Sequence, residues 1–296
     1  MPDPKSPPKY GWLALLALTV IVILVAYLTE HRFLLFAQLQ RPAAFLFIAV
    51  LLILFALLAG WAVTGLAWGV LIDDRNKMSL SRFQTALWTV VVVSAILVAA
   101  FSNVEILGRG KVTETLKDPK DPKTAHWTFV AGKQEPVELH GPGPLDLEIP
   151  PELWLVLGIS VTSLVGSPMI RETKKDQTPK PEELKATVEA LKAKGQEDAT
   201  NEGLVIVNKD PKDARWTDLF QAEETGNGAH LDLGKVQNFY FTVILVFAYA
   251  AALAAMFANP GPISSLPAVS QGMVALLGIS HAAYLANKAR AQSQTT

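Results

Sequence analysis

Ser79-Leu80-Ser81-Arg82-Phe83-Gln84 opens one long apolar run, and Asp232-Leu233-Gly234-Lys235-Val236-Gln237 opens another. Each is followed by a second run, the first carrying Leu157-Gly158-Ile159-Ser160 and the other Leu277-Gly278-Ile279-Ser280. About 18 or more apolar residues are needed to cross a bilayer as a helix, and these runs reach that length. A basic opening, an apolar helix, a polar connection and a second apolar helix with a Gly-Ile-Ser step thus occur twice. The repetition reads as an integral membrane architecture built from tandem helical hairpins.

Outward from the repeats, six candidate spans are found: Gly11–Leu28, Ala43–Gly65, Phe83–Phe101, Pro151–Ile170, Val236–Phe257 and Ala268–Asn287. The second is overlong, with apolar residues continuing to Ile72. At about 1.5 Å per residue it exceeds a hydrocarbon core of about 30 Å. It is expected to tilt, or to leave the membrane near Gly65 with Trp68 at headgroup depth. Glu152 shortens the apolar part of the fourth span but sits in a first helical turn, where the dipole favours a carboxylate. The first span follows Lys5 and Lys9 without the short apolar region or the cleavage site of a signal peptide, and reads as an uncleaved anchor.

Orientation follows from Lys and Arg close to the spans. Arg75, Lys77 and Arg82 lie between spans two and three; Arg171, Lys174 and Lys175 follow span four; Lys235 precedes span five; Lys288 and Arg290 follow span six. The connection Ala258–Pro267 carries no charge. Arg32 and Arg41 run against the rest but are outnumbered. The expected topology has both termini cytoplasmic. Four regions result: a two-helix hairpin (1–72), a first repeat hairpin (73–170) with an external loop (102–149), a cytoplasmic loop module (171–234), and a second repeat hairpin with its tail (235–296). In the external loop His126–Val130 and Val137–His140 are short strand candidates. In the cytoplasmic loop Leu184, Val188 and Leu191 recur at helical spacing between acidic Glu182-Glu183 and basic Lys192 and Lys194, with Gly195 as a stop. This amphipathic helix needs a partner surface. Gly203–Val207 reads as a strand, and Trp216, Leu219 and Phe220 as an apolar turn at the membrane surface.

The repeated motifs carry physical roles. Ser79 and Asp232 suit N-caps, with Met78/Phe83 and Leu231/Val236 at hydrophobic-staple positions. Arg82 and Lys235 are read as interfacial anchors that snorkel to phosphates. Gln84 and Gln237 are read as amides just inside the membrane that bond across helices or ring the mouth of a conduit. Gly158 with Thr162, and Gly278 with Ala282 and Ala286, form small-residue rows that let helices approach closely. Ser160, Thr162 and Ser280 are candidates for packing or for lining a pore. His281 is the one titratable side chain well inside a span; a neutral imidazole bonded to a serine or a carbonyl is its expected state.

Composition removes several classes of function. The 296 residues carry a formal net charge of −1, which gives no reason to expect nucleic-acid binding. The absence of cysteine excludes disulfides and thiolate chemistry. The histidines at 31, 126, 140, 230 and 281 lack metal-ligand spacing, and the sequence names no cofactor. Asp73-Asp74 beside Arg75 and Lys77 reads as an interfacial charge cluster, and Gly141–Pro144 as a turn signal. No phosphate-binding loop, nucleophile elbow or zinc-protease motif is found.

The chain resembles a group of bacterial multi-pass membrane proteins of uncharacterised activity with a duplicated Ser-Leu-x-Arg-x-Gln opening, an aromatic-Thr pair and a Leu-x-Gly-Ile-Ser step. Here these are Ser79–Gln84 with Trp88-Thr89, Asp232–Gln237 with Phe241-Thr242, and the two Gly-Ile-Ser triplets; Asp213–Phe220 also fits. The likeness covers about Asp74 to Lys288, and Gly234 and Lys235 depart from the pattern. The resemblance implies a bacterial inner-membrane location.

The expected fold is an all-α integral membrane protein with six transmembrane helices in a parallel tandem repeat, a small extracytoplasmic loop module and a cytoplasmic loop with one amphipathic helix. The expected function is a non-enzymatic scaffold, assembly or signal-coupling subunit. Its expected partners are the lipid bilayer and either further copies or other membrane or cytoplasmic proteins. The alternative is an oligomeric pore for ions or small solutes.

Overall fold

The computed structural model describes residues 11–13, 16, 19–20, 40–107, 111–116, 125–130, 137–140, 145, 147–259, 261–291 and 293. Most of the first expected span, Arg32 and the 141–144 turn lie outside them; residues 11–13, 16, 19 and 20 are helical. Six further helices follow: α1 (Arg41–Thr64), α2 (Leu80–Leu107), α3 (Pro151–Lys175), α4 (Pro181–Ala193), α5 (Leu233–Ala258) and α6 (Gln271–Ala289). Among the described residues α1, α2, α3 and α5 are long and apolar enough to cross a membrane. The sequence led to an expectation of six spans. α6 is a helix where a span was expected but is not one of the four; its inner face begins with the apolar Val274 and Leu277 and turns polar, with Ser280, His281, Tyr284 and Lys288.

Four helices form a ring. α2 packs on α3, α3 on α6, α6 on α5 and α5 on α2, while α1 lies outside against α2 and α5. The core between them is apolar in one half, with Trp88, Ala95, Ala99, Leu153, Val156 and Leu253 all at 0% exposure. Trp88 packs its ring against Tyr249 at 5.9 Å. The outward faces are apolar too: Val63, Phe247, Ile279 and Met169 are among the most exposed side chains. A chain apolar inside and outside alike is built for a lipid solvent.

α1 ends where Gly65 adopts a left-handed conformation (φ 76°), its N–H closing on the Trp61 carbonyl. The chain then turns through a 3-10 segment, Ala67–Leu71, which leaves Trp68 exposed. This is the break expected near Gly65. At the other end of the ring, Glu148 pairs with the 264–266 strand-like segment (Glu148 N–H to Ser264 O 2.9 Å, Leu266 N–H to Glu148 O 3.0 Å). The Asn103 amide both donates to and accepts from the backbone of Ile263, at 2.7 Å each way. Arg41 donates to the carbonyls of Asn259 and Gly261 at 2.7 and 2.6 Å, so this basic residue on the minority side caps the end of α5.

Two small sheets flank the helices. β1 (Lys111–Leu116), β2 (Ala125–Val130) and β3 (Val137–His140) form an antiparallel meander with Thr113 opposite Thr128 and Trp127 opposite Leu139. β2 and β3 match the expected strands; β1, rich in Lys, Glu and Thr, lacks the apolar alternation that would have marked it. β4 (Ala199–Glu202) and β5 (Val205–Asn208) form a hairpin. The expected strand at Gly203–Val207 is therefore displaced: Gly203 has φ 56° and belongs to the turn, and the strand begins at Val205.

The apolar face of α4 is not left for an outside partner. Leu191, with Leu184 and Ala190 beside it, packs against Ala199, Ile206 and Ala229. The amphipathic helix finds its surface within its own module, and only its polar face remains free.

Candidate functional site

The polar module, residues 176–232 between α3 and α5, meets the ring at one end, and a single carboxylate organises the contact. Glu223 lies in the segment after the 3-10 turn Trp216–Leu219. Its Oε1 is 2.8 Å from Lys235 Nζ and 3.3 Å from Arg75 Nη1; its Oε2 is 2.5 Å from Lys288 Nζ and 4.0 Å from Arg171 Nη1. These cations come from four places: Arg75 precedes α2, Arg171 is in the last turns of α3, Lys235 opens α5 and Lys288 closes α6. Glu223 is thus tied to the ends of α3, α5 and α6 and to the turn that leads into α2. The side chains of Arg75, Arg171 and Lys235 are at most 3% exposed, and that of Glu223 is 10% exposed.

Electrostatics keep the buried carboxylates ionised, while burial pulls the Lys288 ammonium down to about 7 against the attraction of Glu223. Burial opposes the charge on Glu223, but Arg75, Lys235, Lys288 and Arg171 together outweigh it and hold the carboxyl well below its ordinary value. Asp73 behaves alike: burial raises it, Arg75 and Arg171 win, and it stays below the usual range. Arg75 grips both Asp73 oxygens, Nε donating to Oδ1 at 3.3 Å and Nη2 to Oδ2 at 2.8 Å, the two-pronged geometry that suits guanidinium and carboxylate. Arg171 also pairs with Asp74.

Further ties surround this hub. Lys174 bonds Glu224 and the backbone carbonyls of Lys288 and Arg290, the last at 2.8 Å. Glu224 in turn accepts from the Ser293 amide at 2.7 Å, fastening the C-terminal segment. Lys77 Nζ reaches Asp218 at 3.0 Å, and Asp218 accepts from the amides of Met78 and Arg215. Burial pulls the Lys77 ammonium below its ordinary value against the attraction of Asp218. Beside them Met78, Leu80 and Leu219 form an apolar contact joined by Phe83, Phe220 and Phe239. The β4–β5 turn caps α3, with Leu204 N–H on Lys174 O at 3.0 Å. A cavity of about 290 Å³ lies between the module and the ring, lined by Glu223, Glu224, His230, Asp232, Tyr284 and Lys288 among others.

From the charge network a polar stripe runs into the ring. On α3, Ser160, Ser163, Ser167, Arg171 and Lys174 are all buried, a spacing of three and four that keeps them on one face. Ser163 Oγ and His281 Nδ1 are 2.5 Å apart. His281 is thus bonded to a serine, as its lone placement suggested. Ser280 Oγ donates to Asn238 Oδ1, and Ser160 Oγ donates to the Val156 carbonyl at 3.2 Å. Gln84 donates to Thr242 Oγ1 at 2.7 Å and to Asn238 O at 3.3 Å.

The residues singled out from sequence therefore separate. Gln84, Ser160, Ser280 and His281 are buried and spend these polar atoms on protein partners. Gln237 does not face Gln84 but is exposed on α5; Gln84 instead meets the backbone carbonyl of the next residue, Asn238. Gly158 and Thr162 are exposed on α3, the Thr162 hydroxyl bonding the Gly158 carbonyl at 2.8 Å. Gly278 is half-buried, and a side chain there would meet Ile159 at 3.5 Å. Arg82 is half-buried and makes no ion pair among the described residues. Lys235 is not an outward anchor. At 2% exposure it turns inward to Glu223 and to the Gln221 carbonyl at 2.7 Å, because a buried carboxylate offers a stronger partner than a solvated phosphate. Asp232 does cap α5, accepting from Gly234 and Lys235 N–H.

Sequence reasoning missed Glu223 altogether. Its one signal was the acidic pair Glu223-Glu224 in a loop bounded by the basic residues Arg171, Lys174, Lys175 and Lys235. Comparison with protein-family models, with curated proteins and with solved structures finds no match to this chain.

Proposed function

We propose that the protein is a non-enzymatic multi-pass membrane component, a scaffold, assembly or signal-coupling subunit, whose polar module is locked to its helix ring. The observation that carries this reading is Glu223 paired with cations at the ends of α3, α5 and α6 and in the turn before α2. Any force that shifts the module acts on all four of these points together. A buried ionic hub of this kind favours one docking geometry, because every displaced pair leaves an uncompensated charge.

The proposed topology has six spans, with α6 and the N-terminal helix completing the four apolar ones. Its bacterial inner-membrane location is what the resemblance implies, and the cytoplasmic side of the module is read from the clustered basic residues. The tandem repeat is supported by contacts between corresponding helices: α2 touches α5 and α3 touches α6. The pore alternative has less support, since Gln84, Ser160 and Ser280 are consumed inside the ring.

The test is photo-crosslinking in native membranes from the free polar face of α4, at Lys185, Glu189 and Lys192, combined with solute flux in reconstituted liposomes. Specific crosslinks to a membrane or cytoplasmic protein, with no flux, are expected. A chain that crosslinks to nothing, or liposomes that pass ions, would contradict the proposal.

A further inference from the structure

A second feature of the same end of the ring is independent of the scaffold assignment and rests only on the membrane reading of α2 and α3. Nine basic residues flank the helices here: Arg75, Lys77, Arg82, Arg171, Lys174, Lys175, Lys235, Lys288 and Arg290. Seven are spent on carboxylates. Arg290 is exposed at the end of α6, and Arg82 stands half-buried beside a cleft of about 460 Å³ between the first turns of α2 and the last turns of α3.

The cleft is lined by donors. Ser79, Ser81, Arg82, Thr85 and Arg171 all face it. Ser79 and Ser81 are 5% and 6% exposed, and their hydroxyls meet only each other, at 3.1 Å. One hydroxyl hydrogen of that pair is left to donate. Arg171, with its side chain 3% exposed, has a buried Nε with no hydrogen-bond partner although its terminal nitrogens are engaged by Asp73 and Asp74. The opening turn of α2 adds the positive end of a 28-residue helix. Asp73 also lines the cleft, but Arg75 holds both of its oxygens and Arg171 lies 3.5 Å away, so its charge is neutralised locally. The remaining walls are apolar: Val70, Ala86, Leu164 and Pro168. Val165 and Met169, on the same stretch of α3, are 55% and 67% exposed.

We propose that this cleft binds the phosphate of an anionic phospholipid headgroup. Arg82 supplies the free charge, Ser79 or Ser81 supplies a directed hydrogen bond beside the buried Arg171 guanidinium, and the apolar walls receive the start of the acyl chains. A soluble phosphate would share the donors but would gain nothing from those walls, which is why the lipid is the occupant chosen.

The experiment is native mass spectrometry of the full chain released from mixed micelles of phosphatidylglycerol and phosphatidylcholine, with inorganic phosphate and glycerol phosphate as competing soluble anions. The wild type is expected to retain phosphatidylglycerol selectively. Arg82→Gln and Ser81→Ala are each expected to lower that retention, the former about tenfold, as losing a hydrogen bond to a charged group does. Arg290→Gln is expected to change nothing. Arg82 makes no ion pair among the described residues, so its variant should fold, and an unchanged melting temperature checks this. Equal retention of the two lipids, or selective retention that survives in Arg82→Gln, would overturn the proposal. Protection by inorganic phosphate without lipid selectivity would overturn the lipid assignment.

Discussion

At the residue scale the decisive group is a carboxylate among cations. Replacing Glu223 by Gln keeps the shape and removes the charge that Arg75, Arg171, Lys235 and Lys288 share. Breaking a buried ionic contact from one side costs about 3–5 kcal/mol, so Glu223→Gln should lower the melting temperature in detergent sharply. Arg82→Gln should stay within about 0.5 kcal/mol of wild type, the ordinary range for an unpaired side chain near a surface. The pH dependence has a definite sign. Glu223 sits well below 4.5 and Asp73 below 3.8, so the folded chain binds fewer protons than the unfolded one as acid is added. Their contribution is complete above those unfolded values and drains as pH falls through them towards the folded ones. Melting curves should weaken from about pH 5 downward, and Glu223→Gln should show a shallower decline, because one of the two groups is gone. Sequence reading takes Arg75, Arg171 and Lys288 as basic flanks that set orientation and Lys235 as an anchor facing phosphate. The long-range partner that turned Lys235 inward lies in a loop with no periodic pattern, so only the folded arrangement exposes it.

At the element scale, the helices were legible because apolar length and basic flanks are local properties. α1 stops at Gly65 and α3 and α5 begin within a few residues of the expected positions, since caps and Pro starts are written in the chain. What the chain did not reveal was how elements meet. α4 was amphipathic by inspection, but its partner surface is β4–β5, whose register depends on placing Gly203 in the turn. That turn is seated on the end of α3: a side chain at Gly203 would lie 2.1 Å from the Lys175 carbonyl, and the residue already has a left-handed φ. Gly203→Val should therefore cost more than about 1 kcal/mol and lift the hairpin from α3. Limited proteolysis within 195–205 should accelerate in that variant; an unchanged cleavage rate would mean the hairpin does not depend on this seat.

At the scale of the whole molecule, the ring of α2, α3, α6 and α5 has a dry apolar half and a polar half that leads to the charge network. This division explains why the sequence was ambiguous between packing and conduction: small polar residues at repeated depths serve either, and only their partners decide. Ser160 and Ser280 have protein partners, while Gly158, Thr162 and Gln237 lie on the outside. The proposed orientation predicts that reporter tags at the two ends of the chain read the same, cytoplasmic, compartment, and that a tag placed between 117 and 124 reads the opposite one. The central claim is that the module and the ring move as one body through Glu223. Hydrogen–deuterium exchange on detergent-solubilised wild type and Glu223→Gln tests it most directly. The account predicts that exchange rises together in the module around 204–208 and in the last turns of α3 and α6. A rise confined to the few residues around position 223, with α3 and α6 as protected as before, would contradict it.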